Sequence, residues 1–201
     1  MVARLHVVMF FLTCAVACQQ RQPPAHLTAF EDNAKWGYRD DRGVVVIPPR
    51  FEIAQEFSNG IAAVVDGEGW AYINTHGEVL VRPLVVDNGP DYFNEGLARF
   101  QLQGKIGFFD SAGRIVIAAK FDFVWPFSEG LAGFCEGCKE VRVNDEHSAL
   151  RGGKWGFIDR NGHPVIPARF DEVESFRSGR ARVKLQGKSA DIDKKGQVLM
   201  D

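Results

Sequence analysis

A unit of about 34 residues recurs along this 201-residue chain, and it limits the fold more than any other feature. The clearest copy runs Lys154-Trp155-Gly156-Phe157-Ile158-Asp159, a turn ending at Gly162, Val165-Ile166-Pro167, Phe170-Asp171, Phe176 and Gly179-Arg180-Ala181. The first copy holds Lys35-Trp36-Gly37-Tyr38, Gly43, Val46-Ile47-Pro48, Phe51, Phe57 and Gly60. The second holds Trp70-Ala71-Tyr72-Ile73-Asn74, Gly77, Phe93 and Gly96; the third holds Lys105-Ile106-Gly107-Phe108, Gly113, Val116-Ile117, Phe121-Asp122, Phe127 and Gly130. A degraded fifth copy runs from Gly187 to Gly196. The turn glycines Gly43, Gly77, Gly113, Gly162 and Gly196 are 34, 36, 49 and 34 residues apart. An insertion of 2 residues between Gly77 and Gly96, and one of 15 between Gly130 and Trp155, account for the uneven spacings. The 16 Phe and 21 Gly of the chain are largely this unit written out several times.

The unit reads as β structure. Trp155-Gly156-Phe157-Ile158 is aromatic and β-branched, and the Asn161-Gly162 turn after it is a hairpin signal. Val165-Ile166-Pro167 reads as a second short strand stopped by proline. Between Phe170 and Phe176 the alternation is broken, which suits a short strand or an extended loop. Arg180 to Leu185 alternates polar and apolar, as a half-buried strand does. No segment after the first residues keeps an apolar period of 3.6. One unit cannot bury its own aromatics, so stacked units must share a core. Trp36, Trp70, Trp155 and the recurring Phe residues are then packing residues. Asp41, Asp110, Asp159 and Asp193 recur at turns and are expected to make Asx turns. Trp125 breaks the pattern: it precedes Pro126 and stands where the other units have Gln55, Asp91 and Glu174, so it is a candidate ligand-binding residue.

The succession Lys-Trp-Gly-Phe-Ile-Asp, Gly, Val-Ile-Pro, Phe-Asp and Phe-x-x-Gly-x-Ala resembles the WG (KWG) repeat family of bacterial exported and envelope proteins, over about residues 30 to 199. Ala71 replaces the glycine in the second copy, and Ser189-Ala190 replace the Trp-Gly pair in the last. The resemblance implies an all-β array of tandem hairpin repeats acting as a binding or scaffold module, and it supplies no catalytic residues. An open solenoid-like array is expected, because the degraded last copy reads as a cap. A propeller-like ring is the alternative, since the first unit starts mid-pattern and the last stops after its first hairpin.

The N-terminus reads as an export segment. Arg4 precedes the apolar run from Leu5 to Ala17, which is too short for an ordinary membrane span. Ala15-Val16-Ala17-Cys18 resembles a bacterial lipobox with Ala15 in place of the usual leucine, so residues 1–17 are expected to be removed and Cys18 lipidated. Cleavage without lipidation and an uncleaved anchor are the alternatives. Residues 18–29 read as a polar tether and 30–201 as the repeat body. The formal net charge of −2, from 24 Lys and Arg against 26 Asp and Glu, argues against a nucleic-acid surface.

The longer insertion, about 135–153, carries Cys135-Glu136-Gly137-Cys138 and, further on, His147. An exported chain favours a Cys135–Cys138 disulfide. Free thiols, a metal site completed by His147 and carboxylates, and a redox pair remain open; the last lacks a following helix to lower a thiol pKa. Val141-Arg142-Val143 suggests a hairpin with Asn144-Asp145 at its tip. No nucleophile elbow, phosphate loop, dinucleotide fingerprint or His-Glu-x-x-His occurs. Gly152-Gly153-Lys154 lacks the length and the Ser/Thr of a phosphate loop and its lysine is the repeat's own, Asp171, Glu172 and Glu174 read as a solvated strand face, and no cofactor is expected. The expectation is a non-enzymatic envelope module whose partner is an envelope protein or polysaccharide. A purely structural envelope protein is the other class.

Overall fold

The computed structural model describes residues 26–143 and 148–200. Every element in them is a strand: five small antiparallel sheets follow one another along the chain, and two further two-stranded hairpins stand apart from them. Sheet I holds Leu27–Asp32, Lys35–Asp40 and Val45–Phe51. Sheet II holds Ile53–Ala54, Ile61–Asp66, Gly69–Asn74 and Val79–Val81. Sheet III holds Leu97–Leu102, Lys105–Asp110 and Ile115–Phe121, with Pro83 bridging to Phe100 at the place of a first strand. Sheet IV holds Phe123–Val124, Ala132–Glu136, Lys154–Ile158 and Pro164–Phe170. Sheet V holds Glu172–Val173, Ala181–Leu185 and Lys188–Ile192. Among the described residues the core clusters join only consecutive sheets and neither a cluster nor a ladder joins sheet I to sheet V, so the chain builds an open array and not a ring. The first strand begins at Leu27, a buried residue inside the segment read as tether. Residues 1–17 and Cys18 lie outside the described residues.

The full sheet, as in II and IV, is a meander of a short strand, two long hairpin strands and an edge strand; sheet I lacks the short strand, and sheet V has only a bridge from Ile192 to Val198 in place of the edge strand. The sequence unit, counted from its Trp-Gly pair, starts in the third strand of one sheet and crosses into the next. The edge strand is longer than the sequence suggested: Pro164–Phe170 runs through Pro167. Its register explains how. Phe157 pairs with Ile166 and Trp155 with Phe170, so the edge strand bulges outward opposite Gly156. A proline on an edge strand beside a bulge has no ladder bond to lose.

That bulge accounts for the glycine after Trp. A Cβ on Gly156 would lie 2.3 Å from the Ile166 carbonyl oxygen and 2.7 Å from the Ala168 nitrogen. On Gly37 it would lie 2.5 Å from the Ile47 oxygen, and on Gly107 2.4 Å from the Ile117 oxygen. In the second unit Ala71 occupies this place, and there the edge strand stops at Val81, short of the bulge that crosses the glycine in the other units; the register shift of this ladder lies between Tyr72 and Ile73.

The remaining motif residues tie one sheet to the next. Lys35 pairs with Glu52 at 3.0 Å, Lys154 with Asp171 at 2.6 Å, and Lys105 with Asp122. The basic residue before each corner Phe reaches the turn glycine of the following unit. Arg50 donates to the Gly77 carbonyl at 2.5 Å, Lys120 to Gly162 at 3.0 Å and Arg169 to Gly196 at 2.9 Å. The same turn glycines leave room for the preceding unit's isoleucine: a Cβ on Gly162 would fall 2.7 Å from Ile117 Cγ2. The turn acid of the first unit is Asp40 and not Asp41; its Oδ1 accepts from Arg42 and Val44 N–H at 3.0 and 2.9 Å. Asn74, Asp110, Asp159 and Asp193 make the same Asx turn.

The core is a series of four clusters, one at each junction between sheets. Tyr38, Ile47, Phe51, Val64 and Ile73 join sheets I and II. Val81, Ala98, Phe100 and Phe109 join II and III. Phe108, Ile117, Phe121, Phe127 and Phe134 join III and IV, and Trp155, Phe157, Phe170, Phe176 and Val183 join IV and V. Each unit thus depends on its neighbours, as a one-dimensional array requires.

These corners set the response to acid. The Lys154 ammonium holds the Asp171 carboxyl below its ordinary range, Lys105 does so for Asp122, and the His163 N–H does so for Asp159. A carboxyl with a depressed folded pKa stabilises the fold fully above its unfolded value, about 3.9, and loses that contribution as pH falls through the folded value. Thermal melts are therefore expected to be flat from pH 8 to 5 and to shift downward below about pH 4. A midpoint that rises on acidification contradicts this arrangement of corner pairs.

Candidate functional site: a groove between two hairpins

The side of the array that carries the Trp residues of the Trp-Gly pairs is interrupted twice, and the two interruptions face one groove. The first lies between sheets II and III. The other units use seven residues to pass from the edge-strand isoleucine to the next short strand, as from Ile117 to Val124. Here the chain passes from Val81 to Pro83. The residues saved, with the inserted two, form a small hairpin of Val85–Val86 and Gly89–Pro90. Its turn, Asp87-Asn88, has positive φ at both residues, 50° and 64°, as a two-residue hairpin turn requires. The Trp70 indole donates to the Asn88 carbonyl at 3.0 Å and secures the tip.

A buried ion pair anchors the base of this hairpin. Asp91 and Arg99 have side chains only 3% and 7% exposed, with Arg99 Nη2 2.8 Å from Asp91 Oδ1. Asp91 Oδ2 also accepts from the Arg99 main-chain N–H at 2.8 Å and from Nε at 2.9 Å. Arg99 Nη1 donates to the Val124 carbonyl at 3.1 Å, which fastens the hairpin base to sheet IV.

The second wall is the long insertion. It replaces the two-residue turn that Gln103-Gly104 makes in sheet III: Leu102 pairs with Lys105 there, and Glu136 with Lys154 here. Lys139–Arg142 and Ser148–Arg151 pair as the expected hairpin. The expected tip at Asn144-Asp145, and His147, lie outside the described residues. Cys135 and Cys138 are joined as a disulfide at the hairpin base, with a Cα separation of 5.8 Å. Leu150 packs down onto the cluster that holds Trp155.

Between the walls lies a groove of about 840 Å³, inside the range of ligand sites. Its floor includes Phe123, Trp125 and Trp155. Trp155 is buried, and Trp125 is half-buried and lies nearly parallel to it, 5.9 Å between centroids with planes 13° apart. Phe123 meets Trp125 edge-on at 4.9 Å. Gly133 makes the place for Trp125, since a Cβ there would come within 3.0 Å of its Cδ1. Asp122, Glu140, Arg151, Asp171 and Glu172 stand around the floor, and Val85, 55% exposed, forms part of the opposite wall.

The groove unites Trp125 with both insertions, and Glu140, Leu150 and Arg151 bring the long one to its rim. Glu174 is exposed and does not line it. Asp171 and Glu172 do line it, but each carries a lysine partner, at 2.6 and 3.2 Å. Among the described residues no cluster of three metal-ligating side chains is assembled. The sequence reading missed the Val85–Pro90 hairpin and the Asp91–Arg99 pair. Asn88-Gly89 after Val85-Val86 is the signal that could have found the hairpin.

The pattern described as "WG containing repeat" matches residues 36–70, 70–105, 106–138 and 155–188; it stops at the long hairpin and resumes after it. None of the curated proteins matches the chain. Among solved structures, a crystal structure of a eukaryotic initiation factor is similar at 13% identity, over 89% of this chain and 53% of that one, with a TM-score of 0.37. The chain thus spans about half the length of that structure. A protein of unknown function from Bacteroides caccae is similar at 14% identity, over 88% of this chain and 77% of that one, with a TM-score of 0.25. Four matched units covering more than half the sequence show that the chain belongs to the WG containing repeat family.

Proposed function

We propose that this chain is a non-enzymatic binding module of the cell envelope, with the groove around Trp125 as its ligand site. One observation carries the reading: both departures from the repeat rise on the same side and wall the same aromatic floor. Regular repeats form the scaffold, and irregular loops on a rigid scaffold are where binding concentrates. Asp122, Asp171 and Glu172 of the groove are each held by a lysine, which suits recognition better than proton transfer. Export through residues 1–17 and lipidation at Cys18 would place the module on a membrane surface through acyl chains. Intact-mass measurement of the mature protein shows diacylation there or its absence.

The binding reading is tested by capture from an envelope fraction with three proteins: wild type, Trp125→Gln, and a variant with residues 137–153 replaced by Gln-Gly. Glutamine stands at the position of Trp125 in the first unit, and Gln-Gly is the turn of sheet III, so both variants keep residues the scaffold already accepts. Each is expected to melt cooperatively and to lose at least about tenfold in capture, the scale of one interface hot spot. Undiminished capture by both variants would return the ligand site to another face of the repeats.

A further inference from the structure

We propose that the ligand of the groove is an uncharged glycan chain; this rests on the groove being the ligand site. The floor is aromatic, with Trp125 over Trp155 and Phe123 beside them. Flat rings of this kind suit the apolar C–H faces of pyranose rings. The polar groups around the floor occur as compensated pairs. Lys105 is paired with Asp122, Lys154 with Asp171 at 2.6 Å, Lys184 with Glu172 at 3.2 Å, and Arg99 with Asp91 at 2.8 Å. The long hairpin contributes Glu140 and Arg151, one of each sign.

This balance narrows the ligand. The lining itself carries Asp122, Glu140, Asp171 and Glu172 against Arg99 and Arg151, and the partners Lys105, Lys154, Lys184 and Asp91 bring the sum to zero, so the groove with its ion-pair partners has no net charge to steer a polyanion or a polycation. A sugar hydroxyl donates and accepts at once. It therefore matches a rim where carboxylate oxygens and ammonium or guanidinium groups stand side by side. A protein partner fits less well, because the centres of protein interfaces are depleted in charged residues, whereas here charged pairs from three sheets surround the floor. The volume of about 840 Å³ suits a ligand larger than one small molecule fragment.

The test uses the full chain, immobilised, with an envelope fraction before and after exhaustive protease digestion. Bound material is hydrolysed and its neutral hexose and hexosamine measured; Trp125→Gln runs in parallel. Cellohexaose and chitohexaose, both uncharged, are titrated separately while tryptophan fluorescence is followed. The expected result is sugar bound by wild type at least tenfold above Trp125→Gln, undiminished by digestion, with a fluorescence change for at least one hexasaccharide that the variant lacks. Capture that depends on Trp125 but disappears on digestion, with no sugar enriched, overturns the glycan and leaves the groove as a protein-binding site. Capture independent of Trp125, or none at all, overturns the glycan and the groove reading together.

Discussion

Alanine at Gly156 is expected to destabilise the chain by about 3 kcal/mol or more, while glycine at Ala71 costs about 1 kcal/mol or less. The two positions are equivalent in the repeat and differ only in what crosses them. At Gly156 the bulged edge strand passes overhead, and a Cβ would meet backbone atoms at 2.3 and 2.7 Å. Backbone on both sides of the contact cannot rotate away, so the bulge must open and Trp155 must lose its pairing with Phe170. At Ala71 the edge strand has already ended at Val81, and the methyl group is fully buried without such a crossing. For a chain of this size the Gly156→Ala loss corresponds to a fall in melting temperature of roughly 6–12 °C. Equal effects at both positions, or a Gly156→Ala protein within 1 °C of wild type, would contradict the packing assigned to the Trp-Gly pair.

Asp91→Ala is expected to cost about 3–5 kcal/mol, because it leaves the Arg99 guanidinium buried without its counter-ion. Arg99 occupies the place of Ala63 in sheet II and Gly133 in sheet IV, where no charge exists. The double variant Asp91→Ala with Arg99→Ala is therefore expected to recover much of the loss, a coupling that adding the single losses cannot reproduce. Urea unfolding of the four proteins gives the cycle. Additive losses would mean that Asp91 acts on the small hairpin alone and not through Arg99. The same single variant should also weaken capture, since the pair holds the hairpin base against sheet IV.

How much of this was legible depended on whether a residue's role repeats. The β class, the unit length and the hairpin in the long insertion follow from alternation, turn chemistry and spacing, which are local. The edge strand was misjudged at Pro167 because the bulge that admits proline depends on pairing with Trp155 and Phe157. Asp40 was passed over for Asp41 because adjacent acids look alike until one accepts the turn N–H groups. Trp125 stood out as a break in the pattern, but its neighbours could not be named. Val85, Glu140 and Asp171 come from three distant stretches, and only the stacking of sheets brings them to one groove. The small hairpin was hidden for another reason: a shortened crossing and a lengthened loop nearly cancel, so the spacing records an excess of two residues.

Hydrogen exchange of the full chain, with and without protease-digested envelope material, tests the ligand groove most directly. Protection is expected at residues 84–91, 122–125, 139–142, 149–152 and 171–173, which line or support the groove, and is expected to vanish in Trp125→Gln. Protection spread along the exposed edge strands instead, at 45–47, 79–81 and 115–117, would contradict the groove as the binding site.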